Sequence, residues 1–353
     1  MIRAFQGFWL AALLLASFTA TAQRVEGDRA GAQGPYEAEV SVNGQGEAER
    51  NTGFARGLSS VLARLSGSRS VSGQPGVGQE LRRAKEYVKG YDYRQDEGVG
   101  PTGAPTFGTT LVVRFDQQEV DDLIETLGLP VWPMPRPKPV MWLGIDDGKG
   151  PRLVGLAQAN AARTALNRAR ERGYALGLPA GNAAEQAAVG AIWRGDSAAV
   201  ARASLRYSPP MQLIGKVYRS GPGWTGDWTF VDNGKVLSSW STTDTDARRV
   251  IATGADGAAD ALTKRYAKRG TAGPAGSYAV TFTGINSSDD YMRLAGYLDN
   301  LAIVRNITPQ RATSDSVVFS LDLASGLSGF KRMAERDGVV VADEGDTPIY
   351  RLR

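Results

Sequence analysis

Adjacent carboxylates are the first residues in this sequence that could do chemistry: Asp121-Asp122, Asp146-Asp147 and Asp289-Asp290. Glycoside hydrolysis needs two carboxyl groups facing each other across a cleft. Neighbours in sequence seldom supply that, because successive side chains on a strand point to opposite faces. Asp289-Asp290 falls in the expected first turn of a helix, where carboxylates complement the helix dipole. Asp121-Asp122 falls on the polar side of another helix. Only Asp146-Asp147 lacks such a structural task, and both are kept as candidate acids in a strand-to-loop turn before Gly148. The stretch GIDDGKG, residues 144–150, contains Gly-Lys, but its glycine spacing is one residue short and no Ser or Thr follows Lys149, so it is not a phosphate loop. Asp244-Thr245-Asp246 lacks the glycine and closing glutamate of a calcium loop. No G-x-S-x-G elbow is present. A Ser–Lys dyad remains conceivable as a nucleophile with its base.

The residue types that are missing narrow the chemistry further. The 353 residues include no cysteine and no histidine. Disulfides, the thiol nucleophile, the usual general base near neutral pH and the commonest transition-metal ligands are therefore absent. The reading is a protein that is not an enzyme, with no cofactor and no metal. A hydrolase using paired carboxylates is the least favoured alternative. Formal net charge is +4, with arginine scattered along the chain, so nucleic acid is not an expected partner.

The elements that would carry any site begin after residue 22. Residues 8–18, FWLAALLLASF, form a short apolar run behind Arg3, and Ala20-Thr21-Ala22 offers small residues before Gln23. This is the pattern of a cleavable signal peptide, residues 1–22, and the run is short for a membrane span. No cysteine follows that could carry a lipid, and no later stretch is apolar enough to cross a bilayer. The expectation is an exported, periplasmic, soluble protein that is not a lipoprotein. Residues 23–35 read as a polar, glycine-rich disordered lead.

Three small two-layer α/β modules in series are expected next, an α+β organisation. An N-terminal module spans 36–129, with a strand at YEAEVSV, a helix over 46–66, a hairpin and a final helix capped by Asp116. Residues 130–139, PVWPMPRPKP, read as a stiff proline linker, or as a docking peptide. The middle module, 140–269, has a strand at VMWLGIDD, helices near 157–172 and 195–206, a three-stranded meander and a closing helix over 246–267. A glycine-rich joint, 270–276, leads to the last module, 277–353. Its order β-α-β-β-α-β predicts a ferredoxin-like unit.

The meander contains Asn233-Gly234, a strong signal for a two-residue hairpin turn. Regular pairing from that turn sets Phe230 opposite Leu237, Trp228 opposite Ser239 and Trp240 opposite Asp227. Trp228 and Trp240 should then point to opposite faces, which disfavours a flat two-tryptophan platform for a sugar. Trp132 in the linker, with Trp142, Trp193 and Trp240 in the middle module, are the candidate partner contacts, because exposed aromatic groups invite partners.

Several stretches carry a family resemblance: YEAEVSV, LSGSRSV, EYVKGYDYR, LVVRFD, LGLPVW, VMWLGID, the W-x3-W hairpin and the closing YRLR. Together they resemble a proteobacterial envelope family known as domain of unknown function 2066. Residues 211–243 resemble the meander in the amino-terminal domain of the Tol-system propeller protein, although VDNGKVLSSWS has a shorter turn and an extra serine. That likeness implies a module that binds other proteins. The expected function is thus non-catalytic protein–protein interaction in the cell envelope, with an envelope protein as partner. A glycan- or peptidoglycan-binding module is the alternative.

Overall fold

The computed structural model describes residues 34–99, 104–268, 273–343, 345 and 347–353. The signal segment and nearly all of the polar lead lie outside these, as do 100–103 of the hairpin loop and 270–272 of the glycine joint. No described helix is long and apolar enough to cross a membrane. The described residues form a mixed α/β protein built on three small sheets, one per module.

In the first module, β1 (Glu37–Val42), α1 (Glu47–Ser66) and α2 (Val77–Arg82) precede the hairpin β2 (Val88–Val99) and β3 (Pro105–Phe115), and α3 (Gln117–Thr126) closes it. The sheet order is β1-β3-β2, antiparallel throughout. Alternation works as expected: Ala38, Val40 and Val42 of β1 meet the α1 stripe of Phe54, Leu58, Val61, Leu62 and Leu65. Gly67 ends α1 in the left-handed conformation, φ 75°. The Asp116 carboxylate accepts the amides of Gln118 and Glu119 and starts α3.

The middle module comprises β4 (Val140–Asp146), β5 (Arg152–Leu153), α4 (Ala159–Glu171), α5 (Ala183–Gln186), α6 (Val189–Arg194), α7 (Ser197–Ala203), β6 (Met211–Ser220), β7 (Gly223–Asp232), β8 (Lys235–Asp244) and α8 (Ala247–Tyr266). Its sheet runs β5-β4-β6-β7-β8, with β4 parallel to β6. Helices cover both faces. Helices α4 and α8 lie over Met141, Leu143, Leu213, Trp228 and Phe230, whereas α6 and α7 lie over Val140, Trp142, Ile214 and Val231. Burial on both faces explains why VMWLGI is a continuous apolar run.

The last module has β9 (Gly276–Thr283), α9 (Ser288–Asp299), β10 (Val304–Ala312), β11 (Ser316–Leu323), α10 (Gly326–Asp337), β12 (Val340–Ala342) and β13 (Ile349–Leu352). The sheet order is β10-β11-β9-β13-β12. The ferredoxin-like βαββα core is present, and two short closing strands follow it at VVVAD and IYRLR. β12 takes the edge, and the chain then turns back so that β13 inserts beside β9 in parallel.

The modules follow one another in sequence but do not stand apart. The first and last share one buried core, with Leu123, Ile124 and Leu127 beside Phe330, Met333 and Ala334. Arg332 donates to Glu125 Oε1 and to its carbonyl across that seam, at 3.1 and 2.9 Å. The proline segment also differs from an extended spacer. The Trp132 amide donates to Leu65 O, Val131 and Lys268 bridge, and the Trp132 ring sits under the Arg136 guanidinium at 4.1 Å. An indole that large leaves water when a surface is available, and the joint between α1 and the middle module supplies one.

Candidate functional site

The residues around the Asn233-Gly234 turn build the most distinctive surface. Asn233 and Gly234 both have positive φ, 48° and 75°, as a two-residue hairpin requires. Asp232 pairs with Lys235 and Val231 with Val236, but Phe230 then pairs with Ser238. Leu237 is the extra residue of a β-bulge, and every later pair is shifted by one. Trp228 therefore lies directly opposite Trp240, on the same face. The rings stack 6.5 Å apart at 16°. The expectation that they point apart is overturned by that one inserted residue.

Both indoles lean on α8. A Cβ on Gly254 would stand 2.5 Å from Trp228 Cζ3 and Cη2, and one on Gly257 would overlap Trp240. Trp228 is sealed, whereas Trp240 is only half-buried and floors a groove of about 540 Å³ between β8 and α8. Leu237, Ser238 and Ser239 form the strand side; Gly257, Asp260, Ala261, Lys264 and Arg265 form the helix side. These helix positions recur at helical spacing, so one face of α8 is turned to the groove. Arg69, from the loop after α1, closes one end and donates through Nε to Asp260 at 2.8 Å. Arg265 pairs with the buried Asp232 at 3.1 Å.

Beside this groove, β8 is the edge of its sheet and pairs only with β7 among the described residues. The other sheet edges are blunted. β5 and β12 are two and three residues long. β1 carries Glu37 and Glu39, and β2 carries Lys89, Asp92, Arg94, Asp96 and Glu97. β10 is interrupted by Pro309 and two register breaks. β8 has neither charge nor proline between Val236 and Thr243, and Val236 and Leu237 are 52% and 36% exposed. Proteins ordinarily guard such an edge against pairing.

Three polar atoms on this face, Trp228 Nε1, Ser238 Oγ and Trp240 Nε1, are closed from solvent without a hydrogen-bond partner among the described residues. An unpaired buried hydroxyl contributes nothing to offset its lost hydration. Ser238→Ala should therefore leave the unfolding free energy unchanged or raise it by up to about 1 kcal/mol, measured by urea titration. A loss of more than that would mean the hydroxyl is bonded in solution.

The other candidate residues lie elsewhere. Trp132 and Trp142 are 2% and 0% exposed, so neither offers a surface. Trp142 Nε1 donates to Ser204 Oγ at 3.2 Å. Trp193 is half-buried on the opposite face of the middle sheet, its ring over Gly144, with Lys216 Nζ 5.9 Å from the ring centre. The four tryptophans are thus not brought together; only Trp240 lies in the groove.

Asp146 and Asp147 shape a loop. Asp146 Oδ1 accepts the amides of Gly148 and Gly150 at 2.8 and 3.0 Å. Asp147 receives both Nη atoms of Arg152 at 2.9 and 3.0 Å. Hydrogen bonding from Arg152 draws the Asp147 carboxyl from 3.8 down to about 2. A depressed acid stabilises the fold above its unfolded value, and that contribution fades as pH falls towards 2. A carboxyl-carbon NMR titration should place the Asp147 midpoint near pH 2, rising towards 3.8 in Arg152→Ala. An unchanged midpoint in the variant would refute the assignment to Arg152.

A Ser-x-x-Lys spacing does occur, at Ser328 and Lys331 in α10. Ser328 Oγ accepts the Gly273 amide at 2.8 Å, while Lys331 lies on the exposed side 3.9 Å from Glu335. The helix thus gives the serine and the lysine different neighbours.

Buried ionisable groups gather instead at the seams between modules. Glu80 receives the Tyr87 hydroxyl and lies 3.9 and 3.7 Å from Arg83 and Arg336. Burial, and then the Glu80 charge, push the Tyr87 phenol well above its ordinary range. Arg172 joins Asp256, Asp260 and the Gly67 carbonyl, each at 2.8–2.9 Å, and so ties α4 and α8 to the end of α1.

The model of one family, Domain of unknown function (DUF8605), matches residues 30–133. This corrects the resemblance drawn from the motifs, because it is a different family from domain of unknown function 2066. The match spans the first module and runs into the proline segment as far as Trp132 and Pro133, where the chain is still bound to α1 through Leu65 O. No curated protein and no solved structure matches the chain, so the likeness to the Tol-system propeller protein is not retained either.

Proposed function

We propose that this chain is a non-catalytic binding protein of the bacterial periplasm, acting by protein–protein interaction in the cell envelope. The observation that carries the reading is the unguarded β8 edge lying alongside the Trp240 groove. An extended segment of a partner can add to such an edge through main-chain hydrogen bonds, while side-chain pockets beside the strand give specificity. Export rests on the apolar run at 8–18 and the small residues before Gln23.

Photo-crosslinking amino acids placed at Leu237 and Ser239 test the site in cells, with Asn306 on the blunted β10 edge as control. Protein adducts from the β8 positions alone are expected. Equal adducts from β10, or none from β8, would defeat the proposal. Mass spectrometry of the mature protein, expected to begin at Gln23, tests export independently.

Glycan binding is a second reading, favoured by one observation. Trp193, Ser197, Lys216, Asp227 and Thr229 line a shallow cleft of about 260 Å³ on the sheet's other face. Retention on purified sacculi that Trp193→Ala abolishes would support it, and retention unchanged by that substitution would remove it.

A further inference from the structure

We infer that the segment taken up along β8 is acidic: an extended polypeptide with carboxylates on the side that meets Lys264 and Arg265 and a flat or small apolar residue over Trp240. This rests on the strand-addition reading of β8 and adds the chemistry of what is added. The groove and its hairpin end hold Arg69, Lys235, Lys264 and Arg265 against Asp232 and Asp260. Both carboxylates are already paired with arginine, Asp232 with Arg265 and Asp260 with Arg69 and Arg172. Lys264 and Lys235 have no ion-pair partner among the described residues, so the uncompensated charge facing an incoming strand is positive. A carboxylate next to Lys264 gains a partner without breaking an existing pair. A lysine there meets like charge, and like-charge juxtaposition disfavours the wrong partner.

The same charges argue against a second copy as occupant. Two β8 edges paired about a two-fold axis would bring two cationic grooves together, because such an interface presents the same patch from both sides. The single indole floor also limits how much side chain the strand can place inward. It suits one residue, flanked by polar positions that reach the lysine and arginine at the rim.

The test uses the full mature chain and three labelled ten-residue peptides with one strand-forming Thr/Val frame, carrying Glu, Gln or Lys at alternate positions. Binding is read by fluorescence anisotropy. A fourth peptide repeats the Glu sequence with alternate backbone amides N-methylated, so that it cannot pair with a strand. The Glu peptide should bind roughly three- to tenfold tighter than the Gln peptide, and the Lys peptide weaker still. Lys264→Glu should abolish or reverse that order, and added salt should compress it. N-methylation should remove binding.

Equal affinity for all three peptides would overturn the acidic chemistry and leave strand addition standing. Unchanged binding of the N-methylated peptide, or none by any peptide, would overturn both. Equal competition by an oligonucleotide would mean that the groove reads negative charge without a strand, and would overturn the inference. So would a dimer seen by light scattering that Lys264→Glu strengthens.

Discussion

Asp256→Ala should cost the fold about 3–5 kcal/mol, and Arg172→Met clearly less, although Arg172 is the more deeply buried partner. The ordering follows from what each change leaves behind. Asp256 accepts Arg168 Nε through both oxygens, at 2.9 and 3.0 Å, and Arg172 Nη1 at 2.8 Å. Removing it leaves two guanidinium groups side by side, the Arg172 side chain 4% exposed and held by Asp260, the Gly67 carbonyl and, at 3.4 Å, the backbone carbonyl of residue 256. A buried cation stripped of its main counterion bears the full desolvation penalty. Arg172→Met removes the buried cation along with its charge and leaves Asp256 paired with Arg168. A methionine fills much of the space, so the loss should stay near 1–2 kcal/mol, chiefly the lost hydrogen bond to the Gly67 carbonyl, which keeps Thr263 Oγ1 at 3.3 Å. Urea unfolding of the two variants decides the matter: an Arg172→Met loss equal to or greater than that of Asp256→Ala would refute the electrostatic account. Because Gly67 and Arg69 belong to the first module, Asp256→Ala should also speed amide exchange at residues 67–69 before it affects β6 and β7.

Most of the fold was legible because burial of one face writes a period into the sequence. The α1 stripe, the alternation in YEAEVSV and the cap at Asp116 appear where pattern and capping chemistry place them. Three features were not legible, each for a physical reason. The turn signal at Asn233-Gly234 sets a regular register from which a bulge is hard to foresee: Leu237 drops out of the pairing, Ser238 takes its place opposite Phe230, and that one residue moves Trp240 across the sheet. The Val236-Leu237 pair, a break in strict alternation just after the turn, was the only local sign. The Arg172 cluster joins residues 84 and 88 positions apart, which no window sees, although Asp256 and Asp260 in an Ala/Gly-rich helix mark a polar stripe with a task. Trp132 read as a contact residue because prolines surround it, and composition does not record that α1 offers it a carbonyl and a wall. The candidate groove was therefore half visible: its tryptophan was singled out, but its helix side and its unguarded edge required the fold.

Trp228→Ala should cost about 3–5 kcal/mol, the range for losing a fully buried large aromatic, and the sharper test lies in the glycines around it. The six-membered ring of Trp228 is held between Gly215 of β6 and Gly254 of α8. Alanine ordinarily stabilises an interior helix position by about 1 kcal/mol over glycine, so propensity alone predicts a gain for Gly254→Ala. Packing predicts the opposite. The new methyl would stand 2.5–2.7 Å from Trp228 Cη2, Cζ3 and Cε3, far inside carbon–carbon contact, and the ring is 1% exposed with the β6 backbone behind it. Overpacking of that kind costs about 1–3 kcal/mol, and with no free side to relax into it should outweigh the propensity gain. Gly254→Ala should therefore destabilise the wild-type background. In the Trp228→Ala background the wall is gone, and the same substitution should become stabilising by about 1 kcal/mol as propensity takes over. A change of sign between the two backgrounds is the signature of direct contact in a double-mutant cycle. If Gly254→Ala shifts the urea midpoint in the same direction in both, the glycine is not there to admit the indole, and the stack that places Trp240 at the groove floor has some other support.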